Sequence, residues 1–339
     1  MNIVFTGGGT GGHLVIALAL AEAAKKRGVN VMFIGSTSGQ DRQWFGDGAV
    51  FEKGHFLETS GVVNKKGFGK LGAVWKIFKA VLKSREILRD FSADAVVSVG
   101  GFSAAPAALA AVMSKIPLYI HEQNAVTGKL NTLLRPYAKG FFSSYEEGEH
   151  RCDYPVNERY FHHAYIRSEV KTVIFLGGSQ GAKFINDLAL EIAVWLNERG
   201  IRIIHQCGAK EEERVKTAYR QLGIGADVYG FTSQIASLIE QSDVAISRSG
   251  ASTLWELCAA RVPAFFIPYP YAAADHQYHN ARYIVEHQVG WCERQGEGIS
   301  EKLKEALSSD ISLKSEKLRE LISPNGADYI ITRVVEDVS

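Results

Sequence analysis

The sequence predicts an α/β protein with two parallel-sheet domains, and three observations lead to this fold class. Short apolar runs without polar alternation are typical of strands that are buried on both faces of a parallel sheet. Segments with helical periodicity separate these runs, as expected for a sheet covered by helices. The order of strand, glycine-rich turn and helix starts twice, once at Asn2 and once near residue 172. A chain of 339 residues is long enough for two such domains.

The composition excludes several classes of protein. The chain is 46% hydrophobic and 22% charged, so it can bury a sizeable core. Its formal net charge of +1 argues against a uniformly basic nucleic-acid binder. The four cysteines lie far apart without a CxxC pair, so we expect no zinc site, no disulfide scaffold and a reduced, cytoplasmic setting. No signal peptide and no transmembrane helix are predicted.

Each copy of the repeated unit has a strand, glycines, a helix that stops at an Arg-Gly pair, and a second strand. The predicted strands of the two copies are residues 2–6 and 29–34, then 172–176 and 201–205. Further strands are predicted at residues 95–99, 118–121, 244–247 and 264–267, and helices at 103–114, 211–222, 251–260 and 276–286. Periodicity fades over residues 154–171. We therefore expect domains at residues 1–157 and 158–326. A C-terminal helix is expected over 327–339, and its apolar face could pack on either domain, the first one included.

The first glycine turn formally matches a dinucleotide fingerprint, Gly7-x-Gly9-x-x-Gly12. The second strand lacks the acidic residue that would bind the ribose of NAD, which disfavours an oxidoreductase. His13 follows the turn in the first turn of the helix, where it could act as a general base. Glu122 is the rival base and Asp41 a weaker one. A purely structural glycine turn and a packing histidine are the alternatives.

The second glycine turn, residues 177–181, is predicted to bind an anion, with the Ser179 hydroxyl available to a phosphate. A third strand–turn–helix follows at residues 247–256. It places Glu256 near the open end of the helix, where a carboxylate can accept both ribose hydroxyls. A solvent-facing helical glutamate is the alternative.

Polar residues also follow other predicted strands. The run His121-Glu122-Gln123-Asn124 ends one strand, and Gly100-Gly101-Phe102 ends the strand before it. Residues 275–280 could bind sugar hydroxyls or simply begin a helix. The chain has no Asp-x-Asp, so a metal-held diphosphate is not indicated and we expect neither metal nor cofactor.

One segment is locally basic. Between residues 64 and 90, lysines share a helical pattern with apolar residues, and the patch comprises Trp75, Lys76, Phe78, Lys79, Leu82 and Lys83. A basic amphipathic helix can lie on an anionic membrane. The alternative is a helix packed on the sheet with a solvated basic face.

These motifs together resemble the signature set of the MurG family, the peripheral membrane glycosyltransferases of bacterial peptidoglycan synthesis. The segments that carry the resemblance are residues 8–13 (GGTGGH), 100–102 (GGF), 121–124 (HEQN), 177–182 (GGSQGA) and 248–256 (RSGASTLWE). The resemblance implies a GT-B fold, with two Rossmann-like domains facing across a deep cleft. It implies transfer of N-acetylglucosamine, with inversion, from UDP-N-acetylglucosamine to the 4-hydroxyl of the muramoyl sugar of lipid I, which gives lipid II. It also implies a peripheral location on the cytoplasmic face of the inner membrane and cell-wall synthesis proteins as partners.

The resemblance assigns residues to the two substrates. Donor-binding positions are Thr10, Gly11, Gly12, Asn124, Asn157, Ser179, Gln180, Thr232, Ala251, Ser252, Thr253, Leu254, Trp255, Glu256 and Gln277. Acceptor-binding positions are Gly100, Gly101, Phe102 and His121. Asn157 stands where the family usually carries an arginine, so Arg159 or Arg167 would have to neutralise the diphosphate instead. Thr232 stands where the family often has an apolar residue against uracil.

Two other functions remain open at this point. UDP-N-acetylglucosamine 2-epimerases share the architecture and the donor, and a non-catalytic sensor of nucleotide sugars would bind UDP without turnover. Release of UDP only in the presence of a lipid acceptor would distinguish the transferase from both.

Overall fold

The computed structural model describes residues 1–46, 50–59, 68–178 and 182–339, with the backbone alone at residues 68–74. The strands are β1 Asn2–Thr6, β2 Asn30–Ser36, β3 Lys53–Leu57, β4 Ala95–Ser98, β5 Leu118–Glu122, β6 Gly140–Ser143, β7 Thr172–Leu176, β8 Arg202–Gln206, β9 Asp227–Tyr229, β10 Val244–Ser247, β11 Ala264–Phe266 and β12 Trp291–Cys292. The helices are α1 Gly11–Lys26, α2 Asp41–Phe45, α3 Phe68–Asp90, α4 Ala105–Met113, α5 Lys129–Leu134, α6 Lys183–Glu191, α7 Ala193–Glu198, α8 Glu212–Leu222, α9 Ile235–Glu240, α10 Ala251–Ala259, α11 His276–Glu286, α12 Ile299–Leu307, α13 Ser312–Leu321 and α14 Gly326–Val338.

The chain divides into two compact units. Unit 1 comprises Met1–Val156 together with Asn325–Ser339, and unit 2 comprises Asn157–Pro324. Within unit 1, α14 packs on α1. The Arg27 guanidinium there pairs with Asp328 at 2.5 Å and donates to the Thr332 hydroxyl at 2.9 Å.

Each unit has one parallel sheet, and the described strands follow the same order in both. In unit 1 the order is β3-β2-β1-β4-β5-β6, and in unit 2, read from the other edge, it is β9-β8-β7-β10-β11-β12. The strand that opens each unit therefore lies in the middle of its sheet. The strand that follows it in the chain pairs on one side, and a later strand crosses over to pair on its other side. In open parallel sheets, ligands bind beyond the carboxyl ends of the strands at this crossover point.

The central strands form because their side chains are apolar on both faces. In β1 and β7 every residue after the first is buried. Helices close the two cores, with α4 over the unit 1 sheet and α6, α7 and α12 over the unit 2 sheet. The predicted glycine stops are present, because Gly28 and Gly200 adopt φ of +73° and +68°, which favour glycine. The single helix expected after the second glycine turn is instead two helices, α6 and α7, which meet at the buried residue Ile192.

Candidate functional site

The first glycine turn is closed by the protein itself. Gly7 and Gly9 adopt φ of +123° and +86°, which only glycine does readily. The Gly9 N–H donates to the Asp41 carboxylate at 2.6 Å, and the Gly8 N–H donates to the Gly100 carbonyl at 3.1 Å. Asp41 is fully buried and also accepts from the Ser36 N–H at 2.8 Å. Asp41 is therefore an internal anion that fixes the turn, and the prediction that it is an alternative base is wrong.

His13 lies in the first turn of α1 with partners at both ring nitrogens. Its Nδ1 is 2.9 Å from the Thr10 hydroxyl, and its Nε2 is 2.6 Å from the Gln123 amide nitrogen. With the amide nitrogen on that side, Nε2 is the acceptor and Nδ1–H donates to Thr10. The imidazole is half-buried, and its lone pair is held at Nε2.

The polar run after β5 divides into buried supports and exposed groups. Glu122 is buried and accepts from the N–H groups of Asn124 and Gly128 at 3.0 and 2.9 Å and from the Asn131 amide at 2.8 Å. These three hydrogen bonds hold the loop that follows β5. The Glu122 carboxylate is therefore not available as the general base that the sequence suggests. Asn124 is half-buried and stays a candidate donor contact.

The structure also corrects the prediction that the His121 side chain binds the acceptor. Its ring is fully buried against Tyr154, with ring centroids 5.5 Å apart, and neither nitrogen has a hydrogen-bond partner among the described residues. Burial, with a smaller contribution from the neighbouring imidazole of His13, lowers the pKa of His121 to about 3, so the ring is neutral. A side chain without exposed surface cannot contact an acceptor as predicted. Of the neighbouring turn, Phe102 is exposed and lies beside Gly9.

Unit 2 contains a pocket beyond the carboxyl ends of its central strands. Its walls come from the ends of β7, β8 and β10, from α9 and from the first turns of α10. The lining residues are Leu176, Gly177, Gly178, Gln206, Ile235, Ile239, Ser247, Arg248, Gly250, Thr253, Glu256 and Gln277. Three predicted donor residues, Thr253, Glu256 and Gln277, therefore line one pocket together with the second glycine turn.

Glu256 is the acidic side chain of this pocket's wall. Burial raises its pKa to about 7, while the charge of Arg159 and a hydrogen bond from the Tyr160 hydroxyl oppose that rise. Both residues belong to the 3-10 turn Glu158–Tyr160, at the start of unit 2. A carboxylate one and a half turns into α10 can still accept from groups bound at the start of the helix.

Two further residues shape the pocket, and neither is among the site positions assigned from the sequence. The Gln206 amide donates to the carbonyls of Gly178 and Gly230 at 3.1 and 3.0 Å, which orients the second glycine turn. The Arg248 guanidinium donates to the carbonyls of Ile267 and Pro268 at 3.0 and 3.1 Å. Since carbonyls do not cancel its charge, Arg248 brings a positive charge to the pocket wall. The sequence signals for these residues are their place at the ends of strands and, for Arg248, its place in the segment 248–256.

Several predicted donor contacts lie elsewhere. The side chains of Leu254 and Trp255 are fully buried in unit 2 and Ala251 is also buried, so these side chains do not face the pocket. The side-chain oxygen of Asn157 accepts from the Arg159 N–H at 3.1 Å, and the Thr232 hydroxyl accepts from the Gln234 N–H at 3.0 Å. Ser252 is half-buried and is not part of the pocket wall. Ser179 and Gln180 lie outside the described residues.

Arg167 cannot neutralise a diphosphate. Its side chain is 1% exposed, and its guanidinium donates to backbone carbonyls of Ser242, Ala260 and Glu240 at 2.6, 2.7 and 3.1 Å. Arg167 ties the ends of α9 and α10 together. The prediction that it replaces the arginine expected at Asn157 is therefore wrong.

The α3 helix has a packed face and an exposed aromatic face. Val81 and Leu88 are buried against the sheet, whereas Trp75, Phe78 and Leu82 are 57, 47 and 41% exposed. The rings of Trp75 and Phe78 stack at 5.6 Å, and the Lys79 ammonium lies 5.5 Å from the Trp75 ring. Lys79 thus shares the aromatic face instead of lying on a separate basic one. Lys76 and Lys83 pair with Glu58 and Glu86.

The described residues contain neither a membrane-spanning helix nor a cluster that could hold a metal ion. None of the described helices is both long and apolar enough to cross a membrane. Within the same residues, no three His, Cys, Asp or Glu side chains are grouped so that they could hold a metal ion.

Comparison with known proteins identifies the class first. The glycosyltransferase family 28 N-terminal domain matches residues 3–143, and the family 28 C-terminal domain matches residues 172–328. The chain is therefore a glycosyltransferase with the GT-B fold, and each of its two sheets belongs to one domain of that fold.

The particular family follows from whole-chain relatives. A protein of Sulfurimonas denitrificans named UDP-N-acetylglucosamine--N-acetylmuramyl-(pentapeptide) pyrophosphoryl-undecaprenol N-acetylglucosamine transferase is 52% identical over 335 residues, which cover 99% of this chain and 98% of that protein. The crystal structure of MurG from Acinetobacter baumannii matches with a TM-score of 0.80 and 26% identity over 99% of both chains. The chain belongs to the MurG family.

A UDP-GlcNAc 2-epimerase from Neisseria meningitidis also matches, with a TM-score of 0.62 and 13% identity over 99% of this chain and 100% of that one. Likeness at this identity reflects the shared fold. The full-length relatives favour the transferase over the epimerase.

Proposed function

We propose that this chain transfers N-acetylglucosamine from UDP-N-acetylglucosamine to the 4-hydroxyl of the muramoyl sugar of lipid I, with inversion, and so forms lipid II. The observation that carries the proposal is the unit 2 pocket, where Glu256, Thr253 and Gln277 meet the second glycine turn. The name of the relative at 52% identity supports the same reaction. Residues 1–157 and the C-terminal helix would then bind the acceptor, and residues 158–326 the UDP-sugar.

The donor's groups fit the chemistry of the pocket. The diphosphate is anionic, and the start of α10 together with Arg248 offers N–H donors and positive charge. The Glu256 carboxylate accepts from the ribose hydroxyls. The Gln277 side-chain oxygen accepts from the Tyr269 N–H at 2.9 Å, so the Gln277 amide N–H groups are the ones that can donate to the sugar.

In unit 1, His13 is the group that takes the proton. The acceptor oxygen bonds to the anomeric carbon as the bond from that carbon to the UDP oxygen breaks. The hydroxyl proton passes to His13 Nε2, and the electron pair of the broken bond leaves with the diphosphate. Before that step the hydroxyl must replace the Gln123 amide as the donor to Nε2. Thr10 keeps Nδ1 in its protonated form, which orients the ring.

Peripheral binding to a membrane is proposed for the exposed face of α3. Trp75 and Phe78 suit the interface between lipid headgroups and acyl chains, and Lys79 beside them suits anionic headgroups. An undecaprenyl-linked acceptor lies in such a surface, so the proposed site is the cytoplasmic face of the inner membrane.

A transfer assay tests the proposed function. The chain is incubated with UDP-N-acetylglucosamine and a short-chain, water-soluble lipid I analogue, and the products are separated by mass. The proposal predicts the disaccharide product and one UDP per transfer, and neither without acceptor. Release of N-acetylmannosamine without acceptor would contradict it, as would UDP-sugar binding without any turnover. Glu256→Ala serves as the variant with an impaired donor site.

A further inference from the structure

The Glu256 carboxyl is held by a segment that is remote from it in sequence. Tyr160 is 1% exposed, and its hydroxyl hydrogen-bonds the Glu256 carboxyl. Arg159, next to it, places its guanidinium 5.1 Å from the Tyr160 ring centroid, and its charge acts on the same carboxyl. Two consecutive side chains therefore converge on the one acidic group of the pocket wall.

The backbone of this segment is fixed independently of the pocket. Asn157 accepts at its side-chain oxygen from the Arg159 N–H at 3.1 Å and at its carbonyl from the Tyr160 N–H at 3.1 Å. These bonds form the 3-10 turn Glu158–Tyr160, which packs on α9 and α10. Asn157 is the first residue of unit 2, so the turn is the first structure of that unit.

The other elements that pack on α10 place side chains other than Arg159 and Tyr160 near it. From α11, the Tyr283 ring lies 5.7 Å from the Trp255 ring, and from α13, the Ser315 hydroxyl donates to the Arg261 carbonyl. Within the described part of the chain, Arg159 and Tyr160 are the groups that act on the titration of Glu256, apart from burial itself. Both favour the ionised carboxylate.

We propose that Tyr160 is a positioning residue for nucleotide recognition. Its hydroxyl orients the Glu256 carboxyl toward the ribose, so that the carboxyl can accept from both ribose hydroxyls. The inference rests on the proposed function, because it requires that Glu256 contacts the ribose. It adds that the first turn of unit 2 contributes to UDP affinity through Glu256.

Substitution of Tyr160→Phe tests this role, because phenylalanine keeps the ring against Arg159 and removes the hydroxyl alone. We expect UDP, titrated calorimetrically at pH 7, to bind about tenfold more weakly, as for the loss of one hydrogen bond to a charged group. Tyr219→Phe is the matched control. Tyr219 is equally buried in unit 2, and its hydroxyl contacts His205 at 3.1 Å. The control should bind UDP like the parent.

The pH dependence separates positioning from a loss of packing. UDP affinity of the parent should fall as the pH drops through about 7, where Glu256 becomes protonated. Without the Tyr160 hydroxyl the pKa of Glu256 rises, so the midpoint should move upward, by about one pH unit. Arg159→Gln removes the other favourable influence without a buried change, and should move the midpoint in the same direction.

A double-mutant cycle completes the test. In a Glu256→Ala background, Tyr160→Phe should cause no further loss of UDP affinity, because it acts through the missing carboxylate. An unchanged affinity and midpoint in Tyr160→Phe would overturn the inference, as would an additive loss in the double mutant. A parent chain that does not bind UDP would overturn the proposed function itself, a result distinct from UDP binding that is insensitive to Tyr160.

Discussion

The two glycine turns of this molecule follow central strands in sheets of the same strand order, yet different groups surround them. In unit 1, Asp41 accepts the Gly9 N–H, so a carboxylate of the protein occupies the place that a ligand anion would take. In unit 2, Gly177 and Gly178 line the pocket with Arg248 and the start of α10. A glycine fingerprint therefore predicts the backbone geometry, and the side chains around it decide whether an external anion can bind.

The difference assigns separate tasks to the units. In unit 1 the closed turn leads directly to Thr10 and His13 at the start of α1. In unit 2, Gly177 and Gly178 lie beside Arg248 and the start of α10, which offer positive charge and N–H donors to a diphosphate. Substitutions in each unit test this division of tasks between unit 1 and unit 2.

His13→Ala should lower turnover by about 10²–10⁴-fold, because the acceptor hydroxyl loses its general base. UDP affinity should stay at the parent value, since the nucleotide pocket belongs to unit 2. Steady-state transfer assays and UDP calorimetry measure the two quantities. His55→Ala, at a half-buried histidine of β3, is the control. Turnover near that of the parent would remove His13 from the reaction.

Glu256→Ala should weaken UDP binding by about 1.5–3 kcal/mol, since a charged acceptor of ribose hydroxyls is lost. Calorimetry with UDP measures the change. The matched control is Glu213→Ala, an exposed glutamate of α8. If UDP affinity were unchanged, unit 2 would bind the nucleotide in some other way.

Asp41→Asn tests the closed turn directly. An amide cannot accept both N–H groups at Ser36 and Gly9, so we expect about 1–3 kcal/mol less stability. Thermal unfolding should show a lower Tm, while the Kd for UDP stays unchanged. Asp187→Asn, at an exposed aspartate of α6 paired with Lys183, is the control. Weaker UDP binding in Asp41→Asn would contradict the division of tasks.

Replacing Trp75, Phe78 and Leu82 with serine should give the smallest effect on catalysis. Binding to anionic phospholipid vesicles should fall several-fold, because exposed apolar area is lost. Transfer to a water-soluble acceptor should persist. Serine at Leu133 and Tyr137, both 63% exposed in unit 1, is the control for general surface polarity. Equal vesicle binding by parent and variant would favour a helix without a membrane role.

The fold was predictable where residues interact locally or are wholly buried. Strands β1, β7 and β10 and helix α11 have the predicted bounds, because continuous apolar runs and a clear helical pattern define them. The edge strands β3, β9 and β12 were not predicted, since they are only partly buried and carry no continuous apolar run. Edge strands form because a neighbouring strand offers hydrogen bonds, and their own sequence carries little signal.

The candidate site was predictable only in part, for a similar reason. Glu256 and His13 follow recognisable turns, so their positions could be anticipated. Asp41 pairs with a glycine 32 positions away, and Tyr160 contacts a carboxyl almost a hundred residues away. Such contacts depend on the folded topology and have no periodicity. The sequence predicts His121 and Trp255 as ligand contacts because both belong to recognised motifs. Their side chains are buried, because membership in a motif does not determine which way a side chain points.

Hydrogen exchange in the presence of UDP tests the central claim most directly, because it reports on backbone N–H groups in both units of the intact chain. We expect slower exchange at Gly177–Gly178 and at the start of α10, with Gly8 and Gly9 unchanged. Slower exchange confined to Gly8 and Gly9 would show that the nucleotide binds the first turn, and would contradict the account.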